Sequence, residues 1–303
     1  MNLFKNYQYN LFLNLFLVYT IWGSTYLGVK IGLKDLSPML LTALRFTSGG
    51  CILFLFSLYK TGLPKKDEFL GSALIGVLLT GIGTSAVCFA ILYIPSGLVA
   101  LLVALLPVWV FILDYFFFSK TGPSPLSGFG MVLGIIGVLF IFNPFSISTD
   151  IGLSELFPIC VVFAGSISWA YGSLISPKTS QIKGIQGTSV QMLSGGSVAL
   201  ILSLVLEDNQ LYSLIGMSKQ GILAMCYLVL IGSFIGYSAY VWLINNAPPI
   251  LTSSYAFVNP VVAMILGYYL AEETLSQNSI MASIIILIGI IFMTLGRRRK
   301  GKF

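Results

Sequence analysis

Arg45-Phe46-Thr47-Ser48-Gly49-Gly50-Cys51-Ile52-Leu53-Phe54-Leu55-Phe56-Ser57-Leu58 aligns residue for residue with Gln191-Met192-Leu193-Ser194-Gly195-Gly196-Ser197-Val198-Ala199-Leu200-Ile201-Leu202-Ser203-Leu204, at a constant offset of 146. Ser48, Gly49, Gly50, Ser57 and Leu58 are identical to their partners. Further along, Pro95, Pro107, Val108, Leu113 and Thr121 meet identical residues at Pro248, Pro260, Val261, Leu266 and Thr274, an offset of 153, and Trp22 is answered by Trp169. Blocks recurring in the same order argue for two homologous halves, 11–145 and 154–296, rather than chance likeness between apolar segments. We therefore divide the chain into an N-terminal repeat, 1–147, and a C-terminal repeat, 148–303, which ends in a basic tail.

The composition says where such a repeat lives. Of 303 residues, 57% are hydrophobic and 9% charged, against about 25% charged in an ordinary soluble domain. A helix needs about 20 apolar residues to cross the hydrocarbon core. Hydropathy and breakers place spans near 11–33, 38–59, 69–93, 96–118, 126–145, 154–176, 185–206, 219–244, 249–271 and 277–296. Ten spans leave no room for a separate soluble domain. The segment from Leu11 lacks an A-x-A cleavage site and is read as a retained span, not a signal peptide.

Each half holds five spans, an odd number, so the second half enters the membrane from the opposite side. The expected fold is an all-α membrane protein of ten transmembrane helices, two inverted five-helix repeats around a central cavity. Inverted repeats are associated with secondary transporters, whose two halves exchange conformations around a midplane site. Lys5, Lys60, Lys65, Lys66, Lys120, Lys178, Lys183, Arg297, Arg298, Arg299, Lys300 and Lys302 fall on one side, against Lys30, Lys34 and Lys219 on the other. The positive-inside rule then puts both termini in the cytoplasm.

Several chemistries are excluded by residue type. The chain has no histidine, the commonest metal ligand and proton shuttle. Cys51, Cys88, Cys160 and Cys226 all sit in apolar stretches, so neither a metal site nor a disulfide framework is expected, and no cofactor. Intramembrane aspartyl chemistry needs two facing carboxylates, whereas Asp114 stands alone well inside a predicted span; the chain is not expected to be an enzyme. The net charge of +6 includes no basic block with interleaved aromatics, so no nucleic-acid partner is expected.

What remains are polar and aromatic groups inside spans. Pro107 and Pro260 occupy matched positions in spans four and nine, where proline frees a backbone carbonyl; paired helix breaks point to a midplane site and gating. Thr252, Tyr255 and Asn259 share one helical face beside Pro260. Span one offers Trp22, Ser24, Thr25 and Tyr26, and span six echoes it with Ser166, Trp169 and Tyr171. Aromatics beside small hydroxyls suit a small amphiphilic solute. Tyr240 and Trp242 approach the inner end of span eight and are read as interfacial aromatics. Arg45 lies about 10 Å inside span two at the helical rise and must pair, snorkel or face a cavity; Gln191 is its repeat partner. Arg45 serves either to attract a carboxylate or to bind helix ends, and Asp114 either pairs with a lysine or couples transport to protons. Gly28/Gly32, Gly130/Gly134 and Gly232/Gly236 let helices approach closely.

The segments Ile21-Trp22-Gly23-Ser24-Thr25-Tyr26, Arg45-Phe46, Ile94-Pro95-Ser96-Gly97, Leu106-Pro107, Gly165-Ser166-Ile167-Ser168-Trp169 and Ser253-Ser254-Tyr255-Ala256-Phe257-Val258-Asn259-Pro260-Val261-Val262-Ala263 resemble the EamA branch of the drug/metabolite transporter superfamily, most closely its YedA-like bacterial inner-membrane members. The likeness runs over nearly the whole chain, and Glu272-Glu273-Thr274-Leu275 belongs to it. It implies ten helices in two inverted halves, a central cavity, and export of small metabolites, often amino acids. Ser119-Lys120 stands in the first half where Glu272-Glu273 stands in the second, and Phe89-Ala90-Ile91-Leu92 is apolar where relatives often carry polar groups. The expected partners are a small-molecule substrate and membrane lipids, with proton coupling and a homodimer left open. The competing readings are an exporter of cationic drugs, although span one lacks a carboxylate to neutralise a cation, and a lipid-binding or receptor protein that binds without flux.

Overall fold

The computed structural model describes residues 2–61, 64–91, 93–94, 99, 102–120, 122–142, 153–271 and 277–296. The Tyr26 side chain, Pro95, Thr121, Glu272, Glu273, Thr274, the boundary near 147 and the tail from Arg297 lie outside this set. The described residues are helical, without a strand. We number ten main helices: α1 Asn2–Gly32, α2 Pro38–Thr61, α3 Lys66–Ala90, α4 Leu102–Phe118, α5 Pro125–Phe142, α6 Leu153–Ile175, α7 Gly184–Leu206, α8 Lys219–Asn246, α9 Tyr255–Ala271 and α10 Gln277–Leu295. Among the described residues, six of these are long and apolar enough to cross a membrane: those beginning at Tyr7, Pro38, Lys66, Leu156, Gly184 and Lys219. The apolar stretches Leu102–Phe118, Pro125–Phe140 and Ile280–Leu295 are shorter.

Burial is inverted relative to a protein in water. Phe116, Leu204 and Leu223 are 66%, 65% and 71% exposed, contiguous with many other outward-facing apolar side chains, a surface that water would not tolerate. Thr42, Arg45, Thr80, Gln191, Ser233, Thr252 and Asn259 are buried, because a polar group costs several kcal/mol facing hydrocarbon, about as much as any unsatisfied group there.

Two close pairings form the flanks, α2 against α7 and α5 against α10. Both depend on missing side chains. A Cβ on Gly50 of α2 would lie 2.9 Å from the Leu193 backbone nitrogen, and one on Gly130 of α5 would lie 2.4 Å from the Gly289 carbonyl oxygen. Between the flanks, α1 packs on α8 and α9, while α6 packs on α3 and α4. The expected glycine pairs work in the same way: Gly28 meets Leu228, Gly32 meets Leu41, Gly134 meets Phe257, and Gly232 and Gly236 meet Arg45 and Trp22.

Hydropathy predicts uniform α-helices, but α3 and α8 each contain a π-helical run, Val77–Thr84 and Leu228–Tyr237. π-helix is rare and is found mostly as single turns at functional sites. The two runs pack against α6 and α1, contacts that periodicity does not encode.

At the end of the bundle bearing the α1–α2 turn, two carboxylates cross-brace the chain. Glu207, at the end of α7, accepts hydrogen bonds from the Met39 and Leu40 amides at 2.7 and 3.0 Å and from the Ser37 and Ser203 hydroxyls at 2.6 and 2.8 Å. Asp35 accepts from the Ser218 amide and hydroxyl at 3.1 and 2.7 Å before α8. A carboxylate satisfies the free amides of a helix N-terminus and complements its dipole. Glu207→Ala is expected to cost about 1–2 kcal/mol, seen as earlier thermal unfolding in detergent, and Glu207→Gln is expected to recover part of it.

Candidate functional site

Six helices leave a cavity of about 180 Å³ at the centre of the bundle. α1 supplies Trp22 and Thr25, α2 Thr42, Arg45 and Phe46, α3 Gly83, Thr84 and Cys88, α4 Val103 and Leu106, α6 Ser166 and Trp169, and α9 Tyr255 and Asn259. Val29, Leu41 and Val87 also line it, Val29 and Leu41 beside the α1–α2 turn, so the cavity extends toward that end. The opposite wall is aromatic. The Trp22 ring centre lies 5.8 Å from that of Trp169 and 4.8 Å from that of Tyr255, both near-perpendicular, the geometry aromatic quadrupoles prefer.

Arg45 is the one charged side chain lining the cavity among the described residues, and it faces no carboxylate there. Its Nε donates to Ser233 Oγ at 2.8 Å and its guanidinium carbon lies 5.2 Å from the Phe46 ring centre. Gly232 makes room for it, since a Cβ there would lie 2.9 Å from an Arg45 terminal nitrogen. One bond holds the head in place and leaves further donors directed at the cavity. Across the cavity, the Asn259 side-chain oxygen is buried and has no hydrogen-bond partner. An unpaired buried acceptor costs about 1–3 kcal/mol, and it stands in a cavity that also offers a cation.

Of the sequence-derived candidates, the fold brings Trp22, Thr25, Arg45, Ser166, Trp169, Tyr255 and Asn259 to one cavity. The others lie elsewhere. Ser24 bonds the Ile21 carbonyl and the Tyr227 hydroxyl. Tyr171, two residues and about 200° of helix beyond Trp169, is 42% exposed and packs beside Phe118. Gln191 is buried between Gln181 and Tyr237. Thr252 lines a separate small cavity with Ser173 and Tyr240. Asp114 begins a π turn near the end of α4, where it accepts from Ser119 Oγ at 2.8 Å. Pro107 follows a break at Leu105, whereas Pro260 lies inside α9, itself preceded by a break at Ser254.

Tyr240 corrects the interfacial reading. It is fully buried at the foot of the cavity, 4.9 Å from Trp22 and 5.4 Å from Trp169 between ring centres, with its hydroxyl bonded to Trp169 Nε1 and Ser173 Oγ. Thr42, Thr84 and Cys88 were missed as lining residues, because single small polar residues in apolar runs carry no periodic signal. Spacing from Arg45 would have found Thr42, one turn earlier on the same face. Among the described residues, no group of histidine, cysteine, aspartate or glutamate is arranged to hold a metal.

Comparison with known proteins agrees with this architecture. The EamA-like transporter family matches residues 11–143 and 156–295. The chain is 35% identical to the inner membrane transporter YedA of Escherichia coli, over 95% of this chain and 91% of that one. It is 25% identical to the transporter YoaV of Bacillus subtilis over 92% and 95%, and 26% identical to a probable amino-acid metabolite efflux pump of Salmonella typhimurium over 93% and 94%. A solved crystal structure superposes with a TM-score of 0.79 at 17% identity, covering 96% of this chain and 98% of its own, which supports the fold. The cavity and its surrounding helices thus belong to a membrane transporter rather than an enzyme. The chain is a member of the EamA-like transporter family, YedA-like and multi-pass in the inner membrane.

Asn259→Leu removes the unpaired acceptor and is expected to leave the empty protein as stable as, or about 1 kcal/mol more stable than, the parent. Thermal unfolding of both proteins in one detergent checks it, while the same substitution is expected to lower ligand binding.

Proposed function

We propose that this protein is a secondary exporter of small metabolites, with aromatic or neutral amino acids and their relatives as substrates. Trp22, Thr25, Arg45, Trp169, Tyr255 and Asn259 form the binding site. The observation that carries this reading is the cavity's polar pair: a buried guanidinium without an acid partner and a buried amide oxygen without a donor. A carboxylate satisfies the first and an ammonium or N–H group the second, while the aromatic wall takes an apolar side chain. The name of the Salmonella typhimurium relative, an amino-acid metabolite efflux pump, favours the same class. An exporter of cationic drugs fits less well, because an unopposed arginine repels a cation.

In this reading the two halves are inverted repeats that exchange conformations by alternating access. The pairing pattern supports it: each of α2·α7, α5·α10, α1·α9 with α6·α4, and α1·α8 with α6·α3 maps onto another when every helix is replaced by the one five positions along. Both termini are cytoplasmic, so the cavity extends toward the outer side. Pro107 and Pro260 stand beside the moving breaks. Coupling to protons runs through Asp114 if it operates at all, and unchanged flux in Asp114→Asn under imposed pH gradients removes it.

Counterflow in proteoliposomes tests the substrate class, using labelled tryptophan, phenylalanine and leucine against nucleosides, sugars and organic cations. Counterflow of the amino acids is expected, with amino-acid amides failing to compete. Arg45→Gln is expected to weaken apparent affinity about 10–100-fold, the worth of a charged hydrogen bond. Arg45→Lys rescues little, because lysine lacks the fork that grips a carboxylate. Trp22→Phe is expected to have a smaller effect. Flux of cations alone overturns the assignment.

A further inference from the structure

A second recess lies beyond the aromatic wall. It holds about 720 Å³ and is more polar than the central cavity, with Gln181, Lys183, Thr188, Gln191, Asn245 and Trp242 among its lining residues. Between it and the central cavity stands a layer of side chains closed by hydrogen bonds. Tyr240 bonds Trp169 Nε1 and Ser173 Oγ, each at 2.7 Å. Tyr237 donates to Gln191 Oε1 at 3.0 Å, and Gln191 Nε2 donates to Gln181 Oε1 at 2.7 Å. The layer is continuous with the cavity above, through Trp22 and Tyr255 against Tyr240, and with the recess below, through Gln191. Every bond in it joins side chains. Each is worth only about 0.5–1.5 kcal/mol net, so the layer can open without breaking a backbone ladder.

Its equivalent in the other half is open. The 153 offset that aligns α4 with α9 also aligns α3 with α8. A Cβ on Gly83 would lie 2.8 Å from Trp169, and a Cβ on Gly236 would lie 2.8 Å from Trp22. The π runs end at the matched residues Thr84 and Tyr237. Tyr237 and Tyr240 thus correspond to Thr84 and Val87, as Gln191 corresponds to Arg45. The first set is closed off from the cavity, and the second set lines it. Matched positions, occupied by different residues, are therefore joined on one side of the cavity and parted on the other.

We propose that Tyr240, with Tyr237 and Gln191, is the gate between the central cavity and the recess, and that the recess is the entry through which substrate reaches the site. The cycle closes Arg45, Thr84 and Val87 together as Gln191, Tyr237 and Tyr240 part. This rests on the exchange of the two halves proposed above. The π runs beside both sets let α3 and α8 shift register during the exchange, because the extra residue in a π turn can pass along the helix while its hydrogen bonds re-form.

Cys88 lines the central cavity, whereas Cys51, Cys160 and Cys226 face outward, so Cys88 reports access without any substrate. With those three changed to serine, an impermeant sulfonate methanethiosulfonate, whose charge Arg45 tolerates, is applied to spheroplasts and to inverted vesicles. Lys183→Cys in a separate chain identifies which preparation exposes the recess. Tyr240→Phe keeps the ring and deletes only the hydroxyl. It is expected to raise Cys88 labelling from the recess side about tenfold and to lower labelling from the other side; Gln191→Leu is expected to act in the same direction. An unchanged recess-side rate in both variants overturns the gate, as does labelling from neither side in any variant. A raised recess-side rate with an undiminished opposite rate upholds the gate and overturns the exchange of the halves.

Discussion

Hydrocarbon offers no hydrogen bonds, and nearly every feature of this protein follows from that. Backbone groups must be paired within each segment, so the chain is helical. Side-chain hydroxyls and amides must face inward, so polar groups are held within an apolar core and the outward surface is apolar. The strongest demand is made by Arg45, seven residues into α2. It cannot face lipid, and only the approach of Gly232 and the hydroxyl of Ser233 let α8 accommodate it. Its position puts a guanidinium without an acid partner on the wall of the cavity.

Close helix crossings meet the same constraint from another direction. Lipid tails are as apolar as leucine, so association depends on packing and on polar contacts. Gly50 and Gly130 bring helices to within a backbone's breadth on both flanks. Between those flanks, α1, α3, α4, α6 and α9 surround the cavity together with the inner face of α2. The carboxylates Asp35 and Glu207 brace the α1–α2 turn to the ends of α7 and α8, where the backbone leaves the helical ladder and amides need acceptors.

The segments around Trp22 and Trp169 resemble each other in sequence but make different contacts. Trp22 donates its indole N–H to the Gly232 carbonyl at 3.2 Å, whereas Trp169 donates to the Tyr240 hydroxyl. The difference arises because Val87 stands where the other half has Tyr240, so a hydroxyl is available on one side only.

Much of this was legible in the chain itself. Hydrophobic runs of span length, the recurrence of Ser48-Gly49-Gly50 at Ser194-Gly195-Gly196, and buried-looking aromatics beside hydroxyls determined the helical fold, its membrane setting and seven of the cavity's residues, because these depend on local period and on the cost of polarity in lipid. Which face of α8 turns inward depended on neighbours distant in sequence. Tyr240 lies near a predicted helix end and reads as interfacial, yet Trp22, Trp169 and Tyr255 surround it. Tyr171 reads as a site residue beside Trp169, yet helical geometry turns it outward. The π runs, the pairing of Asp35 with Ser218 and of Glu207 with α2, and the closed layer below the cavity were decided only by tertiary structure, since each is made by groups that become neighbours only when separate helices pack.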